Sequence, residues 1–199
     1  MAPVPGASLV LNQIARRAGM THFPSLDTDA GMIAAMRLHP AAARLLIKLH
    51  TEIMRGPSSL SPGERELIAA FVSALNACRY CHGVHESTAR AFGADPDLME
   101  RWVEGDLADA SERLRPLLQL TRKLTLEQTK VTPADIANAL AEGWDERAVH
   151  DAINVIALFN FMNRYVHGHG LALADAVLTE RGKLLMSDGY DRLLPMLDD

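Results

Sequence analysis

Apolar residues recur along this chain with the three-to-four-residue period of helices and almost nowhere with the alternation of strands, which predicts an all-α helical bundle. The segments "MIAAMRLHP" and "PAAARLLIKLHTEIMRG" read as two helical pieces separated at His39-Pro40, because the residue before a proline is pushed out of the helical region. Gly56 is expected to close the second piece as its C′ residue. Ser61, Pro62 and Glu64 supply an N-cap hydroxyl, a proline at the first helical position and a glutamate at N3, predicting a helix from about Pro62 to about Leu75. Asn76 and Ala77 break the pattern. A helix from about Cys78 to Phe92 follows, closed by Gly93, so Cys78 is expected at or near a helix N-terminus.

Further starts are expected at Asp95-Pro96 and Thr132-Pro133, with stops at Gly105 and Gly143. "SERLRPLLQLTRKLTLEQTK" predicts one long amphipathic element despite Pro116. Asp145 caps the longest helix, which should end near His167; its middle is apolar almost all round, as in a helix buried on most sides, one of them covered by another subunit. "LSPGERELIA" and "VTPADIANAL" open alike, but capping rules alone produce such matches.

At 199 residues, with 48% hydrophobic and 23% charged residues, the chain is expected to fold as one domain over 1–199, with a core of about 40–170 and peripheral ends. A net charge of −5 and no basic run longer than Arg16-Arg17 argue against nucleic acid or an anionic membrane as partner. The longest near-continuous apolar run, Ala152 to Met162, falls short of the roughly 18 residues needed to cross a bilayer. The first 20 residues show no secretory leader pattern, so a cytoplasmic location is expected.

Both cysteines and two of the eight histidines lie in "CRYCHGVH", residues 78–85. Three chemistries use such a pattern. Taken as C-x-x-C-H it is a haem attachment sequence with His82 as ligand, but that belongs to exported proteins. Cys78, Cys81, His82 and His85 have the elements and number for zinc; on a helix they form one stripe, which can hardly surround a tetrahedral ion. A redox pair uses the stripe directly: thiols at i and i+3 near a helix start can close on each other, the helix terminus favours a thiolate, and His85 follows one turn on.

Glu66, Cys78, Cys81 and His85, at spacings of twelve, three and four, resemble the alkyl hydroperoxidase D and carboxymuconolactone decarboxylase superfamily. "LSPGERELIAAFVSALNACRYCHGVH" is similar to its peroxidase-related branch, in which "N-x-C-x-Y-C-x-x-x-H" is typical. The resemblance covers about residues 40–170 in helix order and is specific over 60–93. It departs from alkyl hydroperoxidase D itself at Tyr80, where that protein carries a histidine.

The resemblance implies a peroxide-reducing dithiol without metal, haem or other cofactor. Cys81 attacks the peroxide, Cys78 condenses with the resulting sulfenic acid, His85 exchanges the proton, Glu66 orients the imidazole directly or through water, and Tyr80 walls the pocket or joins the relay. It also implies a hydroperoxide substrate, an external thiol or dithiol reductant, and a homo-oligomer, trimer or hexamer. Lowering a thiol pKa from about 8.5 to about 6 raises the thiolate fraction roughly thirtyfold, but lost nucleophilicity leaves only about two- to threefold. A positioned proton donor must supply the rest.

Two other readings stand beside this one: a dithiol oxidoreductase or redox sensor acting on protein disulfides, and a non-enzymatic helical or metal-binding module. His82 receives no role. His167 and His169 flank a glycine at a helix end, where a capping role is expected. Met32, Met36 and Met54 read as core or interface filler.

Overall fold

The computed structural model describes residues 21–95, 98–105 and 107–198. Its helices are α1 (Met32–Met36), α2 (Pro40–Arg55), α3 (Pro62–Leu75), α4 (Arg79–Ala91), α5 (Leu98–Glu104), α6 (Arg115–Leu126), α7 (Pro133–Ala141), α8 (Glu146–His169) and α9 (Leu178–Asp188), with short 3-10 turns between and after them. The described residues contain no strand, and the fold is all-α. No helix among them is long and apolar enough to cross a membrane.

The capping chemistry is where the sequence places it. At α3 the Glu64 N–H donates to Ser61 Oγ (3.2 Å) while the Ser61 N–H donates to Glu64 Oε2 (2.8 Å), so two otherwise orphaned donors are satisfied reciprocally. Gly93 and Gly143 close α4 and α7 with positive φ. The expected start at Asp95-Pro96 lies partly outside the described residues, as do the first 20 residues.

Three boundaries differ from expectation. The segment 111–130 is not one long helix: α6 spans only Arg115–Leu126, with Pro116 in its first turn, and Glu127 turns the chain away at φ −145°. Gly56 ends α2 in extended rather than left-handed backbone (φ −60°, ψ 164°), because its carbonyl is turned to accept from the Arg65 guanidinium at 2.8 Å. α8 runs through His167 to His169, and Gly170, at φ 67°, is its left-handed cap.

Fully buried Phe71, Trp102 and Phe159 anchor the core between α3, α5 and α8, each contributing roughly 1.5–3 kcal/mol of burial free energy. α8 buries Val155, Ile156, Phe159 and Met162, while Phe161 on the same helix remains 52% exposed.

What places the site is the turn from α3 to α4. Ala77 takes a left-handed φ of 53°, and the Cys78 N–H donates back to the Ser73 carbonyl at 2.8 Å, so α4 starts at once with Cys78 as its N-cap. Asn76 Nδ2 donates to Asn163 Oδ1 (2.9 Å), and Asn163 Nδ2 donates to Ser73 Oγ (3.0 Å), pinning the turn to α8. α4 is then held between α3 and α9. The approach to α9 is close: a Cβ at Gly182 would stand 2.6 Å from the Ser87 carbonyl carbon.

Candidate functional site

Cys78 and Cys81 are unbridged, buried and hydrogen-bonded to each other through their sulfurs. The bond from the Cys81 thiol is the main reason that Cys78 ionises easily, at about 5 against an ordinary 9.0; burial opposes it, and a hydrogen bond from His167 assists. Cys81 moves the other way: donating its proton to Cys78, together with burial, pushes it well above the ordinary thiol value, partly countered by a hydrogen bond with Asn163. The pair therefore holds one proton between two sulfurs, and its titration belongs to both.

His85 Nδ1 lies 2.7 Å from Glu66 Oε2, a direct contact with no room for water. Glu66 is fully buried, and burial alone would raise its carboxyl; His85 and Arg55 outweigh that and hold it below its usual range. The ionised carboxylate can only accept, so Nδ1 carries the imidazole hydrogen and Nε2 is the free ring nitrogen. The other oxygen, Oε1, accepts from Arg55 Nη2 (2.7 Å) and from the Tyr190 hydroxyl (2.9 Å). Burial first, and Glu66 second, push the Tyr190 phenol well above its ordinary value, so it remains a donor. Phe159 packs edge-on to His85, ring centres 4.2 Å apart.

Cys81 and His85 line one cavity of about 270 Å³, together with His50, Tyr80, Phe159 and Tyr190. Most of its remaining wall is aliphatic or thioether, including Met32, Met36, Met162 and Leu185, with Arg181 and Arg192 the cationic exceptions. Cys78 is outside this wall. His50 donates through Nδ1 to the Leu46 carbonyl (2.8 Å), and burial drives its pKa to about 4, so its Nε2 is a neutral acceptor. The Tyr80 hydroxyl accepts from Arg181 Nη1 (3.1 Å) and the Met32 N–H (3.4 Å), while burial keeps its own proton in place.

Of the residues singled out in the sequence, Glu66 and His85 form one bonded pair, Cys78 and Cys81 another, and Tyr80 shares the cavity with Cys81 and His85. His82 is turned to the Ala70 carbonyl at 3.2 Å. Among the described residues, no three His, Cys, Asp or Glu side chains converge as metal ligands would. Sequence reasoning missed Arg55, His50, Arg181, Tyr190 and the His167 contact. Tyr190 and Arg181 lie beyond the span of the resemblance, and His167 was assigned to the helix end.

Residues 40–101 match the profile of the Carboxymuconolactone decarboxylase family, a stretch that contains Glu66, Cys78, Cys81 and His85. The uncharacterized protein YdfG of Bacillus subtilis (strain 168) is 31% identical over 110 residues, covering 54% of this chain and 74% of that protein. An uncharacterized peroxidase-related protein from Silicibacter sp. TM1040 superposes with a TM-score of 0.68 at 28% identity, over 75% of this chain and 78% of its own. A structure described as an alkylhydroperoxidase AhpD core, an uncharacterized peroxidase-related protein from Ralstonia eutropha JMP134, gives a TM-score of 0.68 at 24% identity, over 75% and 79%; this is a likeness of fold.

Proposed function

Because this chain belongs to the carboxymuconolactone decarboxylase family, within the alkyl hydroperoxidase D-like superfamily, we propose that it is a thiol-dependent peroxidase in which Cys81 is the attacking sulfur. The observation that carries this reading is that Cys81 and the Glu66-anchored His85 wall one apolar cavity, while Cys78 is bonded to Cys81 from outside it.

The proton shared by the two sulfurs moves from Cys81 to Cys78, which leaves the thiolate facing the cavity. Cys81 Sγ attacks the terminal oxygen of the hydroperoxide, the O–O bond breaks, and the alkoxide takes a proton to leave as the alcohol. That proton is the one the dithiol gave up on ionising: His85 Nε2 takes it, and the imidazolium so formed returns it to the alkoxide, with Glu66 and Tyr190 keeping Nδ1 oriented. Cys78 then attacks the sulfenic sulfur; hydroxide leaves and takes the Cys78 proton as water. One dithiol and one hydroperoxide thus give one disulfide, one alcohol and one water. An external thiol or dithiol reopens the disulfide.

Low polarity in the cavity favours this division of labour, since a held donor acts more strongly where water does not compete. Assembly into a trimer or hexamer belongs to the same reading, supported by Leu45 and Leu49, one turn apart on α2 and 71% and 49% exposed.

The easy ionisation of Cys78 favours a second reading, in which Cys78 attacks a disulfide or peroxide arriving from the His167 side. Single-turnover loss of thiol on mixing with an organic hydroperoxide separates the two: Cys81→Ser abolishes it in the first reading, and Cys78→Ser in the second.

A further inference from the structure

Arg181 is the charge in the cavity that the reaction above leaves unused. It is half-buried on α9 and lines the cavity that Cys81 and His85 line. Its partner is neutral: Nη1 donates to the Tyr80 hydroxyl at 3.1 Å. Among the described residues it forms no ion pair with a carboxylate, whereas Arg192, the other arginine of the wall, pairs with Asp188 at 2.8 Å and Arg55 pairs with Glu66. A guanidinium has five donors in a planar fork suited to a carboxylate. Half-buried beside methionine and leucine side chains without a counter-ion, it is held where an anion would gain most.

Tyr80 fixes this guanidinium from both ends of its own environment. Its oxygen accepts from Arg181 and from the Met32 N–H, so the arginine is steadied without being neutralised, and the phenol hydrogen remains available to a second acceptor. The cavity as a whole, about 270 Å³, has room for an organic body much larger than a single water. Four methionines, Met32, Met36, Met162 and Met196, line it, and such side chains adapt to apolar bodies of different shape.

We infer that the cavity selects hydroperoxides whose apolar body carries a carboxylate, with Arg181 and the Tyr80 hydroxyl receiving the carboxylate while the Cys81–His85 end receives the hydroperoxide. The inference rests on the peroxidase reading for its reaction, though the anion site itself does not. Arg181 acts here as a specificity residue; it leaves the proton and sulfur chemistry to other groups.

A matched pair tests it: cumene hydroperoxide and the same compound with a para-carboxylate, each used to oxidise the full chain in single-turnover stopped flow. The parent is expected to react with the carboxylate compound roughly tenfold or more faster per molar, as for a hydrogen bond to a charged group. The ratio should fall to about one in Arg181→Met, persist in part in Arg181→Lys, and survive Arg192→Gln. A ratio near one in the parent overturns the inference without recourse to any variant, and so does a preference that survives Arg181→Met. Should neither hydroperoxide react, the peroxidase reading fails, and the anion site is decided by calorimetric binding of the two product alcohols, 2-phenyl-2-propanol and its para-carboxylate. Tighter binding of the carboxylate, lost in Arg181→Met, then supports the site; equal binding removes it.

Discussion

His85 Nδ1 sits 2.7 Å from Glu66 Oε2, and the opposite oxygen of that buried carboxylate holds both Arg55 and the Tyr190 hydroxyl. One side chain from α3 thus joins α2, α4 and the segment after α9 at a single point. Removing its charge disturbs both the imidazole and a largely buried guanidinium. Glu66→Gln is expected to slow hydroperoxide-driven thiol oxidation on the order of 100-fold. Glu66→Ala should cost about 3–5 kcal/mol of stability, because Arg55 loses its counter-ion. Denaturant melts of both variants, read beside their single-turnover rates, check this.

Tyr190→Phe removes one donor to Glu66 and leaves the ring in place, so a stability loss of about 1 kcal/mol is expected. Its oxidation rate should drop less than that of Glu66→Gln. A rate as low as that of Glu66→Gln would assign the phenol a direct part in proton transfer.

The dithiol should react with peroxide increasingly as pH rises through about 5 and level off by about pH 7. The sign follows from the direction: a thiol lowered from 9.0 to about 5 by its hydrogen bond with Cys81 is already ionised in the neutral range. In Cys78→Ser the remaining Cys81 thiol, buried and with no thiolate to share its proton, should react with an inflection well above this. A parent inflection near 9 would contradict the shared proton.

His50 gives a pH dependence of stability. Burial holds it at about 4 in the folded chain against 6.5 when unfolded, so between these values the unfolded state binds more protons. Stability from this group is complete above pH 6.5 and is lost as pH falls toward 4, by up to about 3 kcal/mol. Melts at pH 7 and pH 4.5 should show a smaller acid-induced loss for His50→Gln than for the parent.

The seam between α4 and α9 is sensitive to one methyl group. A Cβ at Gly182 meets Ser87 backbone at 2.6 Å, whereas one at Gly83 meets the movable Leu178 Cδ1 at 2.8 Å. Gly182→Ala should therefore destabilise by about 1–3 kcal/mol, and Gly83→Ala by clearly less. Since α9 carries Arg181 and Leu185 into the cavity wall, Gly182→Ala should also alter hydroperoxide reactivity.

The legible part of the site was local. Cys78, Cys81 and His85 lie within two turns of one helix, and Glu66 sits on the helix just before, so fixed spacings carried them. Their structural neighbours left no such trace. Tyr190 lies more than a hundred residues from Glu66 in sequence and reaches it because α9 packs against α4. Arg55 and His50 belong to no motif or fixed spacing, and only the buried face of α2 reveals them. His167 does lie at the end of α8, but the Asn76–Asn163 bond brings that end against the N-terminus of α4 and hence to Cys78. The helix boundaries failed where a side chain outvoted the pattern, as Arg65 does at Gly56.

The most direct measurement is stopped-flow oxidation by cumene hydroperoxide of the parent, Cys81→Ser, Cys78→Ser and His85→Ala, with free thiol and sulfenic acid counted after one turnover. The expected result is rapid loss of two thiols in the parent, no fast phase in Cys81→Ser, a sulfenic acid that persists in Cys78→Ser, and a rate lowered on the order of 100-fold in His85→Ala. A parent that reacts no faster than free cysteine, or a fast phase that survives Cys81→Ser and vanishes in Cys78→Ser, would contradict the assignment of Cys81 as the sulfur that meets the peroxide.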